Sequence, residues 1–315
     1  MKPMRTITAR PVVDLRRELE GCQDPVSFGF GCDGTVLAAG RMSAEELHVD
    51  HGKGRFPKSR LDAATSYQVV AWRDGHVRRF RLAQESLVIS YAQPMVLGVL
   101  LVGARCRWTA DSVEKNAVVY DWDGREVRRF TLGDGIADVR TTSDGTIWTS
   151  YFDEGIFGNY GWADPGPTPI GAPGLVAFSS HGDARWSYDA ERACTDSICD
   201  AYALNVAAPD DVWIYFHTEF PIVHVTGGKY EVWTLEQGGA RALAVQDHRA
   251  LLFGNYKRRD RTRLVEMKPN GTATVTEEVN VVDPEGGGFE TAVAYGVGPA
   301  LFLVRDRVVF AVDCW

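Results

Sequence analysis

The chain has little of what several function classes require. Cysteine occurs six times in 315 residues, too sparse for a disulfide-stapled scaffold and in keeping with reduced, cytoplasmic thiols. The longest apolar run, Met95–Gly103, covers nine residues, far short of the roughly 20 that a membrane-spanning helix needs. The opening MKPMRTITARPVV holds no apolar core and no small-residue cleavage site, so a secretory leader is not expected and the protein is placed in the cytoplasm. Positive charge is in deficit. Thirty-four Lys and Arg face 42 Asp and Glu, a net charge of -8. That sign argues against nucleic-acid and membrane partners, whose general affinity comes from cationic side chains meeting phosphates.

Helical periodicity is nearly absent as well. Only Val12–Glu20 (VVDLRRELE) reads as a short helix. No G-x-S-x-G elbow marks a serine nucleophile, and Gly286-Gly287-Gly288 precedes a strand rather than a helix, which excludes a phosphate-cradling loop. Cys194 and Cys199 lie five residues apart with no second pair nearby, so unpaired thiols are expected there ahead of a disulfide or a zinc site.

What is present is short β-branched and aromatic runs divided by turn dipeptides. Hydrophobic residues make up 45% of the chain, ample for a core. Segments repeat: WRDGHVRRFRL from Trp72 and WDGREVRRFTL from Trp122 start 50 residues apart, and TSDGTIWTSYF from Thr142 parallels APDDVWIYF from Ala208. A period of about 40–60 residues holding four strands belongs to a propeller. The expected fold is therefore all-β: one domain over residues 1–315, a six-bladed β-propeller of four-stranded antiparallel blades. The blades begin near Asp24, Gln93, Gly135, Asp200, Ala240 and Phe289. The last has three clear strands, and Arg5–Val13 is expected to supply its fourth, closing the ring by pairing the N-terminal strand with the C-terminal blade and removing open sheet edges.

The connections divide into two classes. Asp33-Gly34, Asp74-Gly75, Asp123-Gly124, Asp144-Gly145, Gly182-Asp183, Gly227-Gly228 and Asn270-Gly271 are hairpin-turn pairs. The others are long and chemically varied: Arg41–Ser66, Ala104–Asn116, Tyr151–Gly174, His217–Pro221 and Asn255–Thr262. In a propeller these classes face opposite ways, and function is expected on the long-loop face.

Three neighbouring loops there carry the candidate site. Asp153, Glu154, Asn159, Tyr160 and Trp162 come from one, His217 and Glu219 from the next, and Asn255, Tyr256 and Lys257 from the third. The expected roles are binding for Glu154, Asn159, Tyr160, Trp162, Asn255 and Tyr256. In a catalytic version Asp153 or Glu219 acts as base, His217 moves the proton and Lys257 steadies negative charge. Asp153, Glu219 and Glu290 are candidate ligands of a divalent cation, Ca²⁺ or Mg²⁺, which prefer such oxygen donors. Asp24, Gln93, Asp134 or Asp138, Asp200 and Glu290 are expected to ring the tunnel mouth with acid. The insertion Arg41–Ser66, with His48, Asp50 and His51, reads as a mobile charged lid. The expected partner is a small polar or cationic molecule held by a monomer, with metal-assisted hydrolase or lyase chemistry as an extension. A non-catalytic protein-interaction scaffold is the alternative, to be marked by a broad apolar patch.

At its repeated Asp-Gly and Trp hairpins the chain resembles bacterial six-bladed propellers of the NHL and SMP30/strictosidine-synthase-like kind. The stretches SYFDEGIFGNYGW and ALNVAAPDDVWIYF also look like ones in uncharacterised actinobacterial proteins. The resemblance implies a funnel in which carboxylate and Asn side chains converge on a metal, with Asp153, Glu154, Asn159, Asn205 and Glu290 as the matching candidates.

Overall fold

The computed structural model describes residues 4–313 except 51, 53 and 237. The expectation for His51 lies outside the described residues. Two compact units divide the chain. A mid-chain unit comprises Glu18–Tyr188, and a terminal unit joins Met1–Arg17 to Asp189–Trp315.

The mid-chain unit is three four-stranded antiparallel meanders in chain order. The first contains Gln23–Phe30, Val36–Arg41, Arg60–Arg73 and His76–Leu87. The second contains Tyr91–Met95, Gly98–Val102, Ala117–Asp121 and Glu126–Phe130. The third contains Ile136–Thr141, Ile147–Tyr151, Leu175–Phe178 and Ala184–Ser187. Burial follows position within each meander. The second strand is buried along its whole length in all three. That is why Val99-Leu100-Leu101-Val102 reads as a continuous apolar run and not an alternation: both of its faces are covered. The fourth strands Glu126–Phe130 and Ala184–Ser187 lie at the sheet edge, largely open to solvent. Val69, Leu82, Leu87, Val99, Leu101 and Val118 form one core between the first two sheets, each such side chain contributing about 1.5–3 kcal/mol by burial.

The terminal unit holds three more meanders. They start at Asp200–Ala208, Ala242–Gln246 and Val293–Val297. The last has only three strands of its own, ending with Val308–Val312, and Arg10–Asp14 pairs antiparallel with that strand. Arg5–Thr8 does not join it. It lies parallel to Ala273–Val282 as a fifth strand of the middle sheet. The expected single N-terminal strand is thus two short ones serving two sheets. The expected helix over Val12–Glu20 is absent: Val12 and Val13 extend in the strand, and residues 16–20 turn. Leu15 and Leu19, whose spacing imitated a helix, are both fully buried from that turn region.

First strands approach one another backbone to backbone. A Cβ on Gly29 would stand 1.7 Å from the Ala92 carbonyl oxygen, and one on Gly296 would stand 1.7 Å from that of Leu243. Only glycine permits such contact. In the terminal unit Asn205 seals the junction. Its buried amide donates to the Leu243 and Gly298 carbonyls at 3.0 and 2.8 Å and accepts from the Gly298 amide at 2.7 Å. The side chain expected to face a metal is therefore a fully bonded structural clamp.

Candidate functional site

The expected site residues divide between the two units. In the mid-chain unit they gather around an arginine. Strand Ile147–Tyr151 ends in a single helical turn, Asp153–Phe157. Asp153 is exposed and its carboxylate accepts from the Glu154 amide at 2.7 Å. Glu154 accepts from Arg105 Nη1 at 2.5 Å, and Arg105 Nη2 donates to Asp134 at 2.8 Å. Arg105 is 3% exposed. Its guanidinium lies 4.1 Å from the Tyr160 ring centroid and 5.4 Å from that of Phe152, distances at which cation–π attraction operates. The Tyr160 hydroxyl donates to the Pro57 carbonyl. Asn159 accepts from the Tyr160 amide at 2.7 Å. Trp162 is buried and donates from its indole to the Cys106 carbonyl at 2.8 Å.

This set fastens three loops together. The insertion after the second strand of the first sheet takes part through Pro57, and it carries a small hairpin, His48–Asp50 with Arg55–Pro57. Burial raises the Asp134 carboxyl to about 6, against the lowering effects of Arg105 and of the Cys106 and Gly135 amides. Asp138 is likewise engaged, accepting from Arg140 at 2.9 Å, and Gln93 is buried and neutral. Two of the expected ring acids, Asp134 and Asp138, are instead matched to the buried Arg105 and Arg140, because a buried carboxylate without a cation is too costly, and Asp24 is exposed. Arg105 was not singled out from sequence. Its one signal is an arginine placed straight after a fully buried strand, in VGARC.

In the terminal unit His217 ends the strand Asp211–His217. Glu219 and Phe220 follow with φ of 61° and 53°, a left-handed turn that brings the Phe220 ring to 5.2 Å from His217 and 5.5 Å from Tyr202. Tyr256 completes the group at 6.1 Å from Phe220 and 6.0 Å from Tyr202. Its hydroxyl donates to that of Tyr202 at 2.9 Å. Asn255 caps the bend that presents Tyr256, accepting from the Lys257 and Arg258 amides at 2.8 and 2.6 Å. Glu290 is exposed. Arg258 is held above its ordinary pKa first by its bond to Asp260, with Glu290 contributing less.

Beside these rings opens a cleft of about 370 Å³, lined by Asp200, Ala201, Tyr202, Gly239, Arg241, Asn255 and Tyr256. Asn255 and Tyr256 are expected site residues that line it, and Asp200 is the expected ring acid that does. Tyr202 and Arg241 were missed. Arg241 follows Gly238-Gly239-Ala240, and a cation one residue beyond a glycine pair is its only trace in the sequence. His217 reaches the group through Phe220, while Glu219 and Lys257 adjoin it along the chain. Among the described residues no three His, Cys, Asp or Glu side chains gather as metal ligands. Among the described residues no cysteine forms a disulfide, Cys194 and Cys199 included.

A second cleft, of about 540 Å³, opens on the hairpin-turn side of the mid-chain unit. Trp72 and Trp122, equivalent positions of the sequence repeat, both line it together with Arg78, Pro94 and Met95. Arg78 sits 5.3 Å over the Trp122 ring. Val96 and Leu97, at 65% and 80% exposure, stand at the adjoining turn.

No family model matches the chain, and no curated protein matches it. Among solved structures, a chain of the mitotic checkpoint complex aligns over 100% of this chain and 95% of its own, with 7% identity and a TM-score of 0.50. That neighbour is a β-propeller protein, and consecutive four-stranded meanders whose first strands abut are blade geometry. The fold is a β-propeller. Streptogramin B lyase aligns with 98% of the propeller chain and 97% of its own at 9% identity and a TM-score of 0.46. The calcium-binding protein regucalcin from Agrobacterium tumefaciens aligns with 99% and 95% at 10% identity and a TM-score of 0.47. At such identities no activity is carried over. No helix of the propeller is long and apolar enough to cross a membrane.

Proposed function

We propose that this propeller binds a small polar molecule in the cleft of its terminal unit. In this reading the six four-stranded meanders are six blades, with Arg10–Asp14 completing the last. One observation carries the binding role: Tyr202, Arg241, Asn255 and Tyr256 bring polar groups together on one concavity of about 370 Å³, within the size range of small-molecule sites. Among the described residues the side chains of His217, Glu219 and Lys257 share no hydrogen bond with one another, so the reading is carried by the lining of the cleft and not by a proton relay.

A thermal-shift screen with a panel of small polar molecules tests it. A ligand that binds the native state raises the midpoint by linkage. At least one panel member is expected to stabilise the wild type and to lose that effect in Tyr202→Ala and Asn255→Ala. Stabilisation retained by both variants would move the site elsewhere.

The interaction scaffold remains a second reading, favoured by one observation. Val96 and Leu97 are exposed next to the tryptophan-lined turn-side cleft, and an apolar rim on a pocket is a common docking feature. Its test is affinity capture with the wild type against Leu97→Glu. A partner held equally by both would remove the support.

A further inference from the structure

The groups that line the terminal cleft are mostly hydrogen-bond donors with nothing to donate to. Among the described residues the Arg241 side chain makes no ion pair and no hydrogen bond, and it lies on the cleft wall. Asn255 spends its carbonyl oxygen on two backbone amides, which leaves its NH₂ group unused. The Tyr202 and Tyr256 hydroxyls share one hydrogen bond, so one of their two phenol protons is left over. An arginine fork, an amide NH₂ and a phenol proton belong to residues lining one cleft, and the ligand that answers all three is an acceptor.

Charge points the same way. In a chain of net charge -8, residues 257–261 read Lys-Arg-Arg-Asp-Arg. Arg258 is matched by Asp260 at 3.1 Å, and Arg261 by Glu278. Lys257, Arg259 and Arg241 have no ion pair among the described residues. The Arg241 side chain and the Arg259 backbone both pack over Gly254. Burial first, and the Arg259 charge second, hold the Arg241 pKa below its ordinary value, so an anion placed beside Arg241 relieves a repulsion already present.

The aromatic group does not offer the opposite chemistry. Three rings whose centroids lie 5.5–6.1 Å apart fill the space between themselves. A quaternary ammonium needs each ring face open at several ångströms from the cation. Asp200 is the one acid on the lining. It has no proton to donate to an acceptor ligand and repels one of like charge.

We infer that the terminal cleft recognises a small molecule through an oxyanion, a carboxylate or a phosphate, seated against Arg241 with Tyr202 and Asn255 as co-donors. The inference rests on the cleft being the binding site and names its ligand class. Oxyanion hydrogen bonds to a guanidinium are both charge-assisted and geometrically matched.

Isothermal titration at low salt tests it with four probes: inorganic phosphate, succinate, choline and mannitol. Phosphate or succinate is expected to saturate at least tenfold more tightly than choline and mannitol, and which of the two wins separates phosphate from carboxylate. Arg241→Ala is expected to weaken that probe roughly tenfold or more with an unchanged melting midpoint, the loss of one charge-assisted bond, and Asp200→Asn to tighten it. Choline or mannitol binding best, with loss in Tyr202→Ala and none in Arg241→Ala, would overturn the anion assignment and leave the cleft as the site. Anion binding untouched by Arg241→Ala and Tyr202→Ala alike would overturn both.

Discussion

The guanidinium of Arg105 lies 2.8 Å from the carboxylate of Asp134, with 3% and 1% of the two side chains open to solvent. The pair sits under the loop that carries Asp153–Trp162 and holds it through Glu154 and Tyr160. Glu154 is thereby committed to positioning while Asp153 stays exposed, and the terminal unit holds a separate cleft lined by donors.

Asp134 makes the stability of the fold depend on pH in an unusual direction. Burial raises its carboxyl from 3.8 to about 6. Between those values the folded state keeps a proton that the unfolded state has released, so this group's contribution falls as pH rises. The full effect is about 3 kcal/mol or less. Asp134→Asn cannot titrate. Urea unfolding at pH 4, 5, 6 and 7 should show the stability of wild type relative to the variant declining across that window. A rising or flat difference would mean that Arg105 keeps the carboxylate ionised throughout.

Glu85 works in the opposite sense. It is buried and accepts from the Leu87 amide at 2.8 Å, Tyr120 at 2.6 Å and Arg129 at 2.6 Å. Burial, the largest influence, raises its pKa, but Arg129, Tyr120 and the Leu87 amide together leave it below the ordinary value of 4.5. Its contribution is complete above the unfolded pKa and disappears as pH falls through the folded one. Glu85→Ala leaves Arg129 to Glu126 alone, at 2.9 Å, takes the acceptor from Tyr120 and the Leu87 amide, and is expected to cost about 1–3 kcal/mol at pH 7. It should also flatten the acid limb of the stability profile below about pH 4.5. An unchanged acid limb in the variant would remove Glu85 from that role.

Asn205→Asp is nearly isosteric and separates bonding from shape. The native amide donates to two carbonyl oxygens, and an aspartate turns both contacts into acceptor facing acceptor. The loss is expected to exceed about 3 kcal/mol, since buried unsatisfied groups cost roughly 1–3 kcal/mol each. Asn205→Ala should cost less than Asn205→Asp because it adds no charge. Chemical denaturation that ranks them in reverse order would show that shape dominates.

Gly29→Ala and Gly296→Ala test the backbone contact of the first strands. Each adds one carbon where a carbonyl oxygen stands 1.7 Å away. The strands must separate, and overpacking of this kind costs about 1–3 kcal/mol or more. Calorimetry is expected to give a clearly lowered midpoint for each variant. A midpoint within a degree of wild type would mean that the strands part freely.

Much of this protein was legible in the chain itself, for a local reason. Turn residues such as Asp74-Gly75 and Asp144-Gly145 act through their own backbone preferences, and the continuous apolar run of a second strand reports burial on both faces. Strand order within each meander and five of the six expected starts followed to within two residues; the last came four later, at Val293. The sequence also placed Asn255 and Tyr256 in a loop that does line a cleft. Tertiary structure decided what each polar side chain faces. Arg105 and Tyr202 became central through contacts with residues 29–54 positions away, and Arg241 through the cleft it lines with Tyr202, which no periodicity records. Asn205 passed from candidate ligand to clamp because two distant carbonyls meet it. Arg5–Val13 divided between two sheets because strand partners are chosen by what the rest of the chain leaves unpaired.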